Sequence, residues 1–263
     1  MNIDNNRLIS IPLVVLSLLW MGATQADVNA SRIESPEPVY FYASQPGKKT
    51  LDQDSNGGNP FASALVELLA RHDLTFGEFS SELIDRTVEK SRGFQRPDVS
   101  ATTISDVLRL CALRFLPKPF SRRRVALVLA YSDYSRANLS SLPDAKVDME
   151  RIADAFRSVG FDEVRTVLDP GHGEIESILK DFAALSGKSD LAALYATGHG
   201  MEVEGNIYLI PSSYPFLPKN IMLDKRTLPL ARLGETLQAN RANLVLYGGG
   251  RENPFEADPK NGP

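Results

Sequence analysis

The second half of the chain alternates apolar runs with amphipathic stretches. Unbroken apolar runs are typical of parallel strands covered on both faces, and apolar positions three or four residues apart are typical of helices. We predict strands at Val125–Ala130, Phe161–Leu168, Asp190–Ala196 and Leu244–Tyr247, an extended piece at Ile207–Ile210, and helices around Ala145–Phe156, Ile175–Phe182 and Leu228–Leu237. This succession predicts an α/β fold with a parallel sheet and right-handed crossovers.

The segment before Arg124 has a different pattern. Val39–Ala43 predicts a strand, and Asp52–Gly58 is polar and glycine-rich, as in a loop. Apolar positions at helical spacing predict two helices, one within Phe61–Leu69 and one within Phe76–Val88. Ile104–Leu116 fits a strand or a helix. The segment contains too few strands to predict a domain of its own.

The first 26 residues carry the pattern of a secretory signal. Arg7 is positively charged, Leu8–Met21 is largely apolar, and the small Ala26 suits signal peptidase. The apolar run is shorter than the roughly 18 to 20 residues that a spanning helix needs, and an uncleaved anchor is the alternative. We therefore expect an exported protein, periplasmic or secreted, with residues 1–26 removed and no membrane span after cleavage.

Composition narrows the classes of function. The 263 residues are 43% hydrophobic and 24% charged, which is typical of a globular protein. A net charge of -4 gives no reason to expect a nucleic acid partner. Cys111 is the only cysteine, so an intramolecular disulfide is excluded. No metal-ligand spacing or nucleotide-binding glycine loop is present, so we expect no cofactor. The sequence indicates no oligomeric state.

Of the three histidines, His199 has the position of a site residue. It lies between Gly198 and Gly200, directly after a predicted buried strand, and α/β folds build their sites at this carboxyl edge of the sheet. Flanking glycines let the backbone approach a ligand and leave amides free to donate. A plain turn histidine is the alternative. His72 and His172 fit surface roles at a helix end and in a loop.

A glycine-rich stretch follows the last predicted strand, and it completes a set of ordered motifs. The motifs are Pro143-Asp144-Ala145, Ala196-Thr197-Gly198-His199-Gly200, Tyr208-Leu209-Ile210-Pro211 and, directly after the three glycines 248–250, Arg251-Glu252-Asn253-Pro254-Phe255. From Arg123 to Phe255 the chain resembles the large-subunit portion of bacterial caspase-like cysteine peptidases, relatives of metacaspases. The resemblance implies a caspase-like fold, a three-layer α/β sandwich around a mostly parallel sheet of about six strands. It also implies a mechanism in which a histidine assists a cysteine thiolate that attacks a peptide carbonyl.

The chain departs from the family at the residue that reacts. The family's last strand runs into Asp-Ala-Cys-Arg-Asp/Asn-Asn-Pro-Phe, so Gly250 takes the place of the nucleophilic cysteine. Gly248 takes the place of the acid that helps to hold a basic side chain in the specificity pocket. The resemblance assigns His199 as the catalytic histidine and Gly200 to the backbone that holds the oxyanion. The implied site therefore lacks its reactive group.

The first half of the chain resembles the family's small-subunit portion. The matching residues are Tyr40–Gly47, Asn59–Ala62 and Gly93–Pro97. In the family this portion follows the cysteine, whereas here it comes first, so we expect a circularly permuted fold. Residues 27–120 would form the small-subunit-like part and residues 121–263 the large-subunit-like part of one caspase fold, with an unrelated domain at 27–120 as the alternative.

Two geometric expectations follow from a permuted fold. Strand Val39–Ala43 should pair beside Leu244–Tyr247, because the small-subunit-like strand then continues the sheet. His199 should lie within about 8 Å of Gly250, close enough for a thiol at that position to reach it.

Two functions fit this sequence. The first is a caspase-like pseudoenzyme of a cysteine-type endopeptidase family that binds a peptide or protein without proteolysis. The alternative is an active cysteine endopeptidase with a non-standard nucleophile. Cys111 fits a buried small hydrophobe and Ser212 and Ser213 fit local hydrogen bonding, so none is a strong substitute for the nucleophile.

Tyr131, Asp133 and Tyr134 fit solvated loop residues, with pocket walls as the alternative.

Overall fold

The computed structural model describes residues 35–54, 57–71, 74–100, 123–137, 139–214 and 223–252. Its strands are β1 (Val39–Tyr42), β2 (Asp98–Ser100), β3 (Arg124–Ala130), β4 (Glu163–Leu168), β5 (Leu191–Thr197), β6 (Gly200–Val203), β7 (Asn206–Leu209), β8 (Leu228–Pro229) and β9 (Ala242–Tyr247). Its helices are α1 (Pro60–Leu69), α2 (Phe76–Lys90), α3 (Pro143–Ser158), α4 (His172–Ser186), α5 (Leu223–Arg226) and α6 (Leu230–Glu235). The signal-like segment, His72, Cys111 and the ambiguous stretch 104–116 lie outside these residues.

The main sheet is mostly parallel and has six strands, as the sequence predicts. Their order is β2-β1-β9-β5-β3-β4. All neighbouring pairs are parallel except β1 with β2, which is antiparallel. Every residue of β3, β5 and β9 is buried, because helices cover both faces of the central strands. The predicted α/β sandwich with a caspase-like sheet is confirmed.

The predicted pairing of the first and last strands is also confirmed. β1 runs parallel to β9, with Val39 opposite Leu244 and Tyr42 opposite Tyr247. Val39 and Phe41 point to the buried face of β1, whereas Tyr40 and Tyr42 are half-buried on the other face. The first half of the chain therefore contributes strands to the same sheet as the second half and does not form a separate one.

Helices α3 and α4 lie on opposite faces of the sheet. The chain moves from β3 outward to β4 through α3, then returns through α4 to β5 on the far side of β3. Two right-handed crossovers in opposite directions place their helices on opposite faces. α1 packs against α3 and α2. Buried apolar residues such as Ile152 and Phe156 on α3, and Ile175 and Phe182 on α4, attach the two layers to the sheet.

The structure contains a second, three-stranded sheet that the sequence did not predict. β6, β7 and β8 are antiparallel neighbours in that order. Glu204 and Gly205, which connect β6 to β7, both have positive φ angles, 51° and 78°. A two-residue hairpin loop needs this conformation to match the twist of its strands. The hairpin begins at Gly200, immediately after His199.

Two further predictions are wrong in detail. The helix expected at Leu228–Leu237 is only the six-residue α6, because Leu228 and Pro229 pair with β7 as a strand. His172 is the first residue of α4 and does not lie in the preceding loop. At Leu228 the pairing with β7 overrode a weak local pattern, and at His172 the start of a helix did so. Within the described residues, no helix is both long enough and apolar enough to cross a membrane.

Candidate functional site

His199 lies just past the carboxyl end of β5, held by a buried tyrosine. The backbone N–H of His199 donates to the hydroxyl oxygen of Tyr134 at 2.9 Å, and this hydroxyl donates to the carbonyl oxygen of Ile210 at 2.7 Å. The two rings meet edge to face, with centroids 4.6 Å apart. Tyr134 thus fixes both the backbone and the ring of the histidine.

The imidazole has a defined tautomer. Its Nε2 lies 2.7 Å from the carbonyl oxygen of Ser140. A carbonyl oxygen can only accept, so Nε2 carries a proton and donates it. In the neutral ring Nδ1 is then the basic nitrogen. An imidazole oriented in this way is suited to take up a proton from a neighbouring group.

Tyr131 and Tyr134 are not solvated loop residues, so that prediction is wrong. Both are fully buried, whereas Asp133 between them is exposed. The chain leaves the parallel strand β3 at the same edge of the sheet as His199, which turns the two rings inward beside the histidine loop. Burial raises the pKa of Tyr134 well above its ordinary value, so its hydroxyl stays protonated and able to donate.

The glycine stretch after β9 lies directly against the histidine loop. Gly248 N–H donates to the carbonyl oxygen of Ala196 at 2.8 Å. A Cβ on Gly249 would lie 2.9 Å from Gly198 O, and a Cβ on Gly200 would lie 2.7 Å from Gly250 O. The two backbones lie against each other, and the Tyr247 hydroxyl packs at this contact and donates to Gly250 O at 3.3 Å. The contact places position 250 beside the loop of His199, while the separation of about 8 Å between the two residues stays a prediction.

The three glycines face different surroundings. A Cβ on Gly248 would lie 2.9 Å from the Tyr195 hydroxyl and 3.0 Å from Thr197 Oγ1. An acidic side chain at this position would therefore meet two hydroxyl groups. A Cβ on Gly250 would instead meet the carboxylate of Glu252. Neither glycine supplies the acid or the nucleophile that the resemblance implies at its position.

Glu252 brings a carboxylate into the site that the sequence did not single out. Burial raises the pKa of Glu252, while the positive charges of Lys49 and of His199 when protonated act in the opposite direction. Its Oε2 is inaccessible to solvent, with no hydrogen-bond partner among the described residues. Asp52 is also close, since it repels Glu252 and is attracted by His199. The position of these groups at one sheet edge could not be read from spacing along the chain.

Arg251 anchors the glycine stretch to the first half of the chain. Its side chain is only 7% exposed and bonds to Glu202 Oε2 at 2.9 Å and to Asp98 Oδ2 at 3.0 Å. The guanidinium carbon lies 4.4 Å from the ring centroid of Tyr42, within the range of a cation–π contact. Its backbone N–H donates to Lys48 O at 2.9 Å. These contacts hold residues 248–252 in one conformation.

A buried carboxylate joins the same region to α3. Asp148 Oδ2 accepts the backbone N–H of Asn59 at 2.8 Å, and Asn59 caps α1 through its side chain. The Asn59 amide also lies 3.4 Å from Gly248 O. Burial raises the pKa of Asp148 to about 7, although Arg151 and the Asn59 N–H act in the opposite direction. Asp148 therefore ties the two halves of the chain together behind the glycines.

Two other candidates from the sequence lie within the described residues and have surroundings of their own. The hydroxyl of Ser212 bonds to Asp169, which also accepts the backbone N–H groups of Ser132 and Asp133. His172 is exposed at the start of α4. In the part of the chain that the structure describes, no group of three or more His, Cys, Asp or Glu side chains is arranged to hold a metal ion.

Part of the second half of the chain has a counterpart among known proteins. Residues 123–244 match the family model of the caspase domain. This part of the chain is caspase-like. The matched stretch includes His199 and ends before the three glycines, so the match does not extend to position 250. At the level of the family, a caspase domain implies a cysteine-type peptidase.

A curated relative supports the same assignment. The chain is 26% identical over 121 residues to the human mucosa-associated lymphoid tissue lymphoma translocation protein 1. The aligned part covers 45% of this chain and 14% of that protein. The similarity to this relative is therefore limited to a segment of 121 residues, a small part of that protein.

Proposed function

We propose that this protein is an inactive caspase-like protein that binds a peptide or protein segment at the surface beside His199 without cleaving it. The observation that carries the proposal is the glycine at position 250. It lies at the end of β9, where the backbone contacts the histidine loop, and it offers no side chain for attack on a carbonyl. In this proposal the protein retains the family's surface for binding a peptide but lacks the ability to cleave it.

The chemistry of the family explains why the loss is severe. A cysteine peptidase forms a covalent intermediate with its thiolate, and the histidine only moves protons to and from that reaction. Removing the nucleophile from such a unit costs about 10⁶-fold in the best-measured case, and only binding and oxyanion contacts remain. His199 keeps an oriented ring and Gly200 keeps its backbone position, which are the parts that still serve recognition.

We also propose that the fold is a circular permutation of the caspase domain. The parallel pairing of β1 with β9 supports it, because the small-subunit-like strand continues the sheet next to the glycine stretch. The antiparallel β2 at the sheet edge and the contacts of Arg251 with Asp98 support it as well. Export of the protein is part of the proposal, supported by the sequence pattern of residues 1–26.

The binding proposal is tested with fluorescein-labelled peptides of mixed sequence, measured by fluorescence anisotropy. We expect the native protein to bind a subset of them and His199→Ala to weaken that binding by about ten-fold, or 1.4 kcal/mol. His172→Ala is the matched control, because it removes an exposed histidine on α4. Equal affinities for native protein and His199→Ala would contradict a site beside His199.

The alternative function, an active cysteine-type endopeptidase, is tested with quenched fluorescent peptides in the same mixture. The family match supports this second candidate. We expect no cleavage by the native protein. Cleavage that disappears in Cys111→Ala would establish a non-standard nucleophile and refute the binding proposal.

A further inference from the structure

The carboxylate of Glu252 lies where a side chain at position 250 would have to be. A Cβ on Gly250 would overlap Glu252 Oε2, and it would lie 3.3 Å from Cδ and 3.6 Å from Oε1. All three atoms belong to one carboxyl group. The place of the nucleophile is therefore not an empty space that awaits a thiol.

The surroundings of the carboxylate both oppose and support its location. Oε2 is inaccessible to solvent, and the neighbouring positive charges are those of Lys49 and of protonated His199, with Asp52 opposing them. The backbone on either side is fixed: Glu202 N–H donates to Glu252 O at 3.3 Å, and Arg251 is buried. Burial of Oε2 without a hydrogen bond costs free energy and raises the pKa of Glu252, so the fixed backbone and the nearby charge of Lys49 are what favour this position.

We propose that Glu252 is a second lock on this site, because its carboxylate takes the place of the nucleophile side chain and would keep a thiol at position 250 from reacting. The inference rests on the proposed function in taking Gly250 as the nucleophile position. The absence of the cysteine and the presence of Glu252 would then each prevent a reaction at position 250.

The Glu252 carboxylate would oppose a reactive thiol at position 250 in two ways, by occupying its space and by its negative charge. A side chain at position 250 has to displace the carboxylate before it can point at the histidine loop. A negative charge in contact with a thiol also disfavours the thiolate, which is the reactive form. Restoring the cysteine alone is therefore expected to give a poorly reactive thiol.

The test compares three variants in a Cys111→Ala background, so that position 250 carries the only thiol. They are Gly250→Cys, Gly250→Cys/Glu252→Gln and Gly250→Cys/Glu252→Asn. Gln keeps the length of Glu without its charge, and Asn is also shorter. The measurement is the rate of alkylation by iodoacetamide across a pH series, which reports the thiolate fraction.

We expect the thiol of Gly250→Cys/Glu252→Asn to react at least about ten-fold faster at pH 7 than that of Gly250→Cys, and the Gln variant to fall between them. Equal rates and equal titration midpoints in all three variants would overturn the proposal, since they would mean that the carboxylate moves aside freely.

A second measurement needs no thiol and covers the case in which Gly250→Cys does not fold. Gly250→Ala is expected to lower the melting temperature of the native protein by at least about 2 °C, because its methyl group meets the carboxylate. In a Glu252→Asn background the same substitution is expected to have no such effect. Equal effects in the two backgrounds would contradict the inference.

These experiments are independent of the peptide-binding assay. If the native protein binds no peptide, the proposed function fails, and the reactivity series still decides the role of Glu252. If peptides bind and the three thiols react alike, the proposed function stands and the second lock is refuted.

Discussion

The hydroxyl oxygen of Tyr134 accepts the backbone N–H of His199 at 2.9 Å, and the two rings pack edge to face. The two residues are 65 positions apart in the chain, and they meet because β3 and β5 are parallel neighbours that end at the same sheet edge. The same edge receives the end of β9, which brings the glycine stretch to the histidine. The carboxyl ends of β3, β5 and β9 thus bring together the residues of the candidate site.

Tyr134→Phe is expected to destabilise the protein by about 1 to 3 kcal/mol. The substitution leaves the buried N–H of His199 and the carbonyl of Ile210 without their shared partner. The free energy of unfolding, measured in urea, checks this. Tyr131→Phe is the matched control, because Tyr131 is equally buried and its hydroxyl has no hydrogen-bond partner among the described residues. A loss as large in the control would show that the hydroxyl bonds of Tyr134 are not responsible.

Asp148→Asn is expected to flatten the pH dependence of stability between about pH 4 and pH 7. Burial raises the pKa of Asp148 from its ordinary 3.8 to about 7, so in this window the folded protein holds a proton that the unfolded chain releases. The stabilisation of the folded state by this proton is therefore present at low pH and is lost as the pH rises toward 7.

Unfolding free energies at pH 4, 5.5 and 7 check the Asp148 prediction. We expect the native protein to lose on the order of 1 kcal/mol more than Asp148→Asn across the window. Asp154→Asn removes an acid with an exposed side chain from the same helix and controls for the change in net charge. Parallel curves for native protein and Asp148→Asn would contradict the assigned titration.

Gly200→Ala is expected to destabilise the protein, whereas Gly173→Ala stabilises it. A Cβ on Gly200 would overlap the Tyr247 hydroxyl and crowd the backbone of Gly250, which cannot give way cheaply. Gly173 lies in α4 with open space around its Cβ position, and alanine is favoured there by about 0.5 to 1 kcal/mol. Melting temperatures of the two variants check the opposite signs. A neutral Gly200→Ala would mean that the two loops are not packed as described.

A reordered chain is expected to fold and to bind the same peptides. In this variant residues 123–252 precede residues 35–100, joined by a flexible linker, which restores the order that the resemblance implies. Because β1 and β9 are neighbours in one sheet, the reordering leaves the sheet pairs intact. Circular dichroism and the anisotropy assay check it. A variant that stays unfolded would argue against a permuted caspase fold.

The sequence by itself determined the layered framework and the position of the histidine. Runs such as Val125–Ala130 and Leu244–Tyr247 are apolar at every position, and such strands can be stable only when both sheet faces are covered. The buried strand, the glycines and the histidine are contiguous within residues 191–200, so their relative positions could be predicted from the sequence. The absence of a reactive side chain at position 250 could also be read from the sequence, because glycine has no side chain in any fold.

Only the tertiary structure decided what surrounds these residues. Tyr134, Ser140, Arg251 and Glu252 act on the site through contacts that the strand order creates, and no periodicity along the chain encodes which strand ends meet. The second sheet escaped prediction for the same reason: β6, β7 and β8 are two to four residues long and exist through pairing with one another. Short-range pattern fixes the elements, and long-range backbone pairing fixes which side chains share a site.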